Sequence, residues 1–289
     1  MKNVAHSISE RLGALAKAGG EDYLLILARY GVERLLYRMS QHPEASHFVL
    51  KGASLFLVWV GHSFRTTRDV DLLGYGESDL GTVAELFRSI CRMETSEQDG
   101  LRFDADSMQA SRIKEDQAYQ GVRLTFFVYL GKMRIPMQVD IGFGDAITPA
   151  PVWVDFPCLL DAPVPRIMAY PIETAIAEKF LAIAEHGMEN SRMKDYYDLH
   201  VIAKSWTIDP EVLCRAILNS CKARKLIVPV TVPVGLTDSF ALDTRKNMQW
   251  LAFTRKGGLT FADLTLGEVI EVVVDFMRPT IDLLRKSRL

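Results

Sequence analysis

Asp69 and Asp71 stand one residue apart in RDVDLL, where the other members of the run, Val70, Leu72 and Leu73, are apolar. In a strand, side chains at i and i+2 project to the same face. The segment therefore predicts two carboxylates side by side above an apolar layer. Such a pair repels itself on a half-buried strand. A divalent cation removes that repulsion, and hard oxygen donors suit Mg²⁺ or Mn²⁺. Upstream, Gly52, Ala53 and Ser54 form a small-residue turn ahead of an apolar segment. A turn of this kind, at a helix start, offers backbone N–H groups and a hydroxyl to phosphates. Arg65 and Arg68 lie between the turn and the acids. A lone DxD is common on solvated strand edges, and Gly-Ala-Ser is common as tight packing. Their combination at short spacing points to a site for a metal–nucleoside triphosphate, and so to a nucleotidyltransferase centre.

A centre of the polymerase-β type needs a third carboxylate on a neighbouring strand. In MQVDIGFGD the better candidate is Asp140, between Val139 and Ile141; the weaker is Asp145, after Gly142 and Gly144. Either could instead be an ordinary strand-end or turn acid. Further along, Ile172, Ile176, Phe180 and Ile183 make the apolar stripe of a predicted helix, and Lys179 falls on that stripe. An inward lysine must snorkel, pair with an acid or meet an anion; here the expectation is contact with the triphosphate. In NSRMKDYYDLHVIA, Asp195 shares a face with Leu199 and Ile202, with Asp198 one turn away and Arg192 and Lys194 nearby. Asn190 or Ser191 is placed to cap this helix. Lys179 and Asp195 could form a structural ion pair or a catalytic pair lining a cleft; the second reading is favoured.

The elements that must hold these residues can be read from the pattern. Residues 6–40 have helical periodicity. HFVLKG reads as the first strand of the core, SLFLVWVG as a buried helix and RDVDLLGYG as the second strand. Residues 79–93 are helical, and 101–148 carry several β-patterned runs. Prolines 149, 151, 157, 163, 165 and 171 crowd the next passage and mark a lobe boundary. Beyond it the pattern is helical over 172–187, 191–204, 209–224, 245–256 and 263–287, the last with Pro279 as a kink. The expected architecture is α+β: N-terminal helices over 1–45 packing on a core of 46–150 with a mixed sheet, then a mainly helical lobe over 151–289.

Composition narrows the class. At 289 residues the chain is long enough for two compact lobes. Its net charge of −2 makes it no general magnet for nucleic acid, so such a partner must be held by a local basic patch. The four cysteines lack CxxC or Cys/His ligand spacing, and the six histidines show no HxxxH or HExxH spacing. The cysteines read as reduced thiols of a cytoplasmic protein. No stretch approaches the roughly 20 apolar residues of a membrane helix, and the first residues lack the apolar core of a signal peptide.

The segments FVLKGASLFLVWVG, FRTTRDVDLLGYG, RIPMQVDIGFGD, YPIETAIAEKF and NSRMKDYYDL resemble, in order, the AbiEii/AbiGii toxin family, which includes the MenT toxins of mycobacteria. The resemblance spans roughly residues 20–255. It implies a polymerase-β-like fold with an added helical lobe, and Mg²⁺-dependent transfer of nucleotides from a nucleoside triphosphate to RNA, notably the 3′ acceptor end of tRNA. It implies a cognate antitoxin, often a winged-helix regulator, in a toxin–antitoxin or phage-defence setting. By position, Asp69 and Asp71 match the metal carboxylates, Gly52 and Ser54 the phosphate-binding turn, and Lys179 and Asp195 the essential lysine and acid of the helical lobe. The turn reads Gly-Ala-Ser where the wider superfamily often has Gly-Gly or Gly-Ser. Arg65, Arg68, Arg192 and Lys194 are the candidates for gripping nucleotide or RNA phosphates. Two rivals are kept: a fold relative with vestigial acids that binds or regulates, and a transferase that modifies protein hydroxyls.

Overall fold

The computed structural model describes residues 4–60, 69–95, 98–114, 120–256, 259 and 263–287. The chain falls into two compact units, Met1–Gly144 with Val152–Ala169, and Asp145–Pro151 with Tyr170–Leu289.

The first unit opens with helices α1 (Val4–Gly19) and α2 (Tyr23–Gln41). Strand β1 (Phe48–Lys51) runs into a 3₁₀ turn at Gly52–Ser54 and helix α3 (Leu55–Val60). Then come β2 (Asp69–Gly74), α4 (Leu80–Arg92), β3 (Leu101–Lys114), β4 (Gln120–Leu130), β5 (Met133–Phe143), β6 (Val152–Asp155) and β7 (Arg166–Ala169). The seven strands form one sheet in the order β3-β4-β5-β2-β1-β7-β6. It is mixed: β2 runs parallel to β5 and β1 parallel to β7, while the other neighbours are antiparallel.

Period-two alternation gives this sheet its two chemistries. Val122, Leu124, Phe126, Ile135, Met137, Val139, Ile141, Val70 and Leu72 are buried. Helix α2 lies on that face, and closely: a Cβ at Gly31 would stand 3.0 Å from the Met137 sulfur. The alternate positions, Arg123, Gln138, Asp140, Asp69, Asp71 and Lys51, are only partly covered. Because α2 is buried almost all round, its charged residues must be paired. Arg34 meets Glu33 at 2.8 Å and donates to the Pro163 carbonyl at 2.8 Å. Arg38 pairs with Asp99, and the Leu159 amide donates to Glu33 at 2.7 Å.

The proline-rich passage, expected to mark a lobe boundary, also supplies β6 and β7 to the sheet. The residues that pair, Val152–Asp155 with Arg166–Ala169, contain no proline, so every ladder donor is kept while Pro157, Pro163 and Pro165 sit between them. Residues 152–169 therefore belong to the first unit rather than to the helical one.

The second unit is helical: α5 (Ile172–His186), α6 (Met193–Ser205), α7 (Pro210–Arg224), α8 (Asp238–Ala241), α9 (Thr244–Lys256) and α10 (Leu266–Lys286). Helix α10 carries Pro279 within it and opens on a capping box between Thr265 and Glu268. Among the described residues no helix is long and apolar enough to cross a membrane.

Candidate active site

In the first unit the register of β2 against its neighbours gathers the predicted acids. Asp71 is the direct partner of Asp140 on β5 and of Lys51 on β1, and Asp69 pairs with Gln138. Asp69, Asp71 and Asp140 thus share the face opposite the apolar layer, two on one strand and one on the next. Arg123 of β4 sits directly across from Asp140 and grips it with both ends of its fork, Nε at 2.8 Å and Nη2 at 2.7 Å. Gln138 adds a third donor to Asp140, at 3.1 Å. The Arg123 pKa is raised by its hydrogen bond to Asp140, and the charges of Asp140, Asp69 and Asp71 all push it the same way. All three carboxylates are felt at one guanidinium.

Gly52 closes the site from the side of β1. Its φ is +72°, and a Cβ there would lie 2.0 Å from Asp71 Oδ2. Only glycine lets the backbone turn this way and rest against that carboxylate. Ala53 and Ser54 follow in the 3₁₀ turn, both buried; the Ser54 hydroxyl is enclosed and has no hydrogen-bond partner among the described residues. A buried hydroxyl left unpartnered is costly, and it stands in the turn assigned to phosphate. Arg65 and Arg68 lie outside the described residues.

The donor set suits a hard divalent cation: carboxylate oxygens from adjacent strand positions, cradled by a backbone that approaches because Gly52 has no side chain. Among the described residues no three His, Cys, Asp or Glu side chains are drawn together as a ready-made cation cage. Asp140, the third acid, is engaged by Arg123.

The second unit carries its own charged cluster. Lys179 on α5 donates to Asp198 at 2.7 Å and to Asp195 at 3.4 Å, and Arg192 Nε donates to Asp195 at 2.7 Å. Asp195 and Asp198 are each 1% exposed, so removing their cations would strand buried charge. The stripe of Ile176, Phe180 and Ile183 is buried as the periodicity required. The N-cap of α6 is Arg192 itself; Asn190 braces the approach by accepting the Arg192 amide at 2.8 Å. Arg192 and Lys194 are exposed.

Asp145 has different company. It belongs to the second unit, where Arg224 holds it at 2.7 Å and also holds Glu178 at 3.0 Å. Tyr170 donates to both acids, and its pKa is driven upward by burial and then by their charges. Of the two candidates for the third carboxylate, Asp140 is therefore the one in register with Asp71. Sequence reasoning gave no role to Arg123 or to Asp198. Arg123 has the parity of a polar-face residue on its strand, and Asp198 lies three residues after Asp195; those are the only signals that could have found them.

A mixed sheet with carboxylates on adjacent central strands, a glycine turn against one of them, and a helical second unit defines a nucleotidyltransferase-type protein. The chain belongs to the family described as "Nucleotidyl transferase AbiEii toxin, Type IV TA system", which matches residues 34–272. Among solved structures it is similar to JHP933 from Helicobacter pylori, at 14% identity over 88% of this chain and 91% of that one, with a TM-score of 0.50. A second H. pylori structure, described as a candidate nucleotidyltransferase, aligns at 15% identity over 88% and 92% of the chains, with a TM-score of 0.48. At 14% identity the likeness to the first of these is one of fold. A comparison with curated proteins gives no match.

Proposed function

We propose that this toxin-type nucleotidyltransferase moves a nucleotide from a nucleoside triphosphate to RNA, with the 3′ acceptor end of tRNA as the target. The observation that carries the reading is the register that sets Asp71 beside Asp140 and beneath Gly52. In this reading Asp69, Asp71 and Asp140 hold Mg²⁺ or Mn²⁺. Such a cation, when bound, offsets charge on the phosphates and makes an attacking hydroxyl more acidic. The turn at Gly52, Ala53 and Ser54 offers amides and a hydroxyl to the phosphates. Arg123 orients Asp140 through a two-point grip, which fixes the carboxylate plane more firmly than a single bond would. The RNA 3′-hydroxyl attacks the α-phosphorus, and pyrophosphate leaves.

In the same reading Lys179 serves the phosphates of the nucleotide with its positive charge, and Asp195 and Asp198 fix the lysine in place. Arg192 and Lys194, exposed at the start of α6, serve RNA phosphates. Access to RNA and triphosphates makes the cytoplasm the setting. The type IV toxin description supports control by an antitoxin; a winged-helix regulator and a role in phage defence complete the reading.

The test is transfer of label from CTP, UTP, GTP or ATP to cellular RNA. Asp71→Asn keeps the size and removes the charge, and is expected to lower the rate by at least ~10²-fold, as loss of one preorganised electrostatic group does. Unchanged labelling of tRNA by that variant would sink the assignment.

A further inference from the structure

Lys246, on the first turn of α9, is 3% exposed and has no carboxylate within ion-pair distance among the described residues. A buried ammonium with no direct ion pair is expensive unless acceptors receive it, and a packing role alone would be served better by Met or Leu. The Asp243 carboxylate stands close in the chain, accepting the Lys246 amide at 2.9 Å. The Lys246 contacts show where the charge is used. The ammonium donates to the Asn190 carbonyl at 3.0 Å and to Gln249 Oε1 at 3.5 Å, and stands 5.3 Å from the centre of the Phe240 ring. Phe240 stacks on Tyr196 with centroids 5.2 Å apart, and the Tyr196 hydroxyl accepts from the Asn190 side chain at 3.5 Å. Lys246, Phe240, Tyr196 and Asn190 thus close a buried ring of contacts. From it a chain leads outward: Asn190 Oδ1 accepts the Arg192 amide at 2.8 Å, Arg192 Nε donates to Asp195 at 2.7 Å, and Asp195 accepts from Lys179.

We infer that Lys246 is a positioning residue for the Lys179–Asp195 pair, acting through Asn190 and Arg192. This rests on the reading that the pair serves the transfer reaction. Asn190 ends the single 3₁₀ turn Gly187–Glu189 between α5 and α6, its amide donating to the Gly187 carbonyl at 3.3 Å, and Lys246 grips its carbonyl. Without the grip, the Arg192 amide and guanidinium lose their fixed origin, and the Asp195 carboxylate loses one of the two cations that hold its plane. A misplacement of about 1 Å at a reacting group can cost ~10²-fold in rate.

The experiment is a double-variant cycle on the full chain, read as kcat for nucleotide transfer well below each variant's unfolding midpoint. Lys246→Met keeps the stem and removes the charge; its kcat is expected to fall roughly tenfold or more, and Lys246→Arg, which keeps a donor for the Asn190 carbonyl, is expected to recover much of the loss. Combined with Arg192→Ala, Lys246→Met should add little further loss, because both act on Asp195 through one chain. Losses that multiply in the double variant, or an unchanged kcat in Lys246→Met, would overturn the inference. If Lys246→Met does not fold, Asn190→Ala cuts the same chain one link further on and must show the same failure to multiply. Lys179→Ala separates the two claims. Wild-type transfer by that variant overturns the role of the pair, and this inference with it, whereas loss of transfer there with multiplying losses in the cycle overturns only the role of Lys246.

Discussion

Gly52 shows how much of this site depends on an atom that is missing. An alanine there would put Cβ 2.0 Å from Asp71 Oδ2 and 2.6 Å from its Cγ, at a backbone φ of +72°. The left-handed conformation costs an L-residue about 1–2 kcal/mol, and the carboxylate must also swing away. Gly52→Ala is expected to abolish most transfer while lowering stability by only a few kcal/mol at most; parallel rate and melting measurements check that separation. A melt as severe as the loss of rate would mean that the turn is only a folding element. At this scale the sequence was unusually readable where the signal was local. Asp69 and Asp71 follow from period two, and Lys179 and Asp195 from period 3.6. Arg123 did not, because its bond to Asp140 depends on how β4 pairs with β5, and nothing within either strand reveals that pairing.

Elements placed the acids by register, and register is a cooperative property. A shift of β5 by one residue would turn Asp140 to the α2 side and bring Val139 or Ile141 to the polar face, so the buried alternation of β5 is also what aims its acid. The long helices from α4 onward were legible from their stripes to within three residues, whereas 6–40, read as one helical run, is two helices, α1 and α2, broken between Gly19 and Tyr23. The short β6 and β7 were not legible: four residues carry too little periodicity to outweigh the prolines around them. In the second unit α10 packs on α6 and α7, and its start is set by Thr265, whose hydroxyl accepts the Glu268 amide at 3.2 Å while Glu268 accepts the Thr265 amide at 2.8 Å. Thr265→Ala should lower unfolding free energy by about 0.5–2 kcal/mol, read as a shift in the denaturant midpoint with an unchanged slope. No shift would mean that the helix start is held by packing alone.

For the molecule as a whole, a net charge of −2 leaves no long-range pull toward nucleic acid, so substrate recognition is expected to be local and the nucleotide to be the better handle on occupancy. A triphosphate with Mg²⁺ at 100 times its dissociation constant should add about 2.7 kcal/mol to stability. Thermal melts with each of the four triphosphates will show which base is preferred, and Asp71→Asn should remove the shift. Equal melts with and without every nucleotide would argue for vestigial acids.

The chain crosses from one unit to the other three times, after Gly144, Pro151 and Ala169. A gene cut at the first crossing would yield every acid of the carboxylate face and still not make a finished core. Strand β7, which flanks β1, arrives only after the first excursion. Such a fragment would leave β1, the strand that feeds the Gly52 turn, as a raw border open to pairing with another polypeptide. A chain ended there would carry the acids and an exposed sheet edge together, and self-association rather than a finished core is its expected fate.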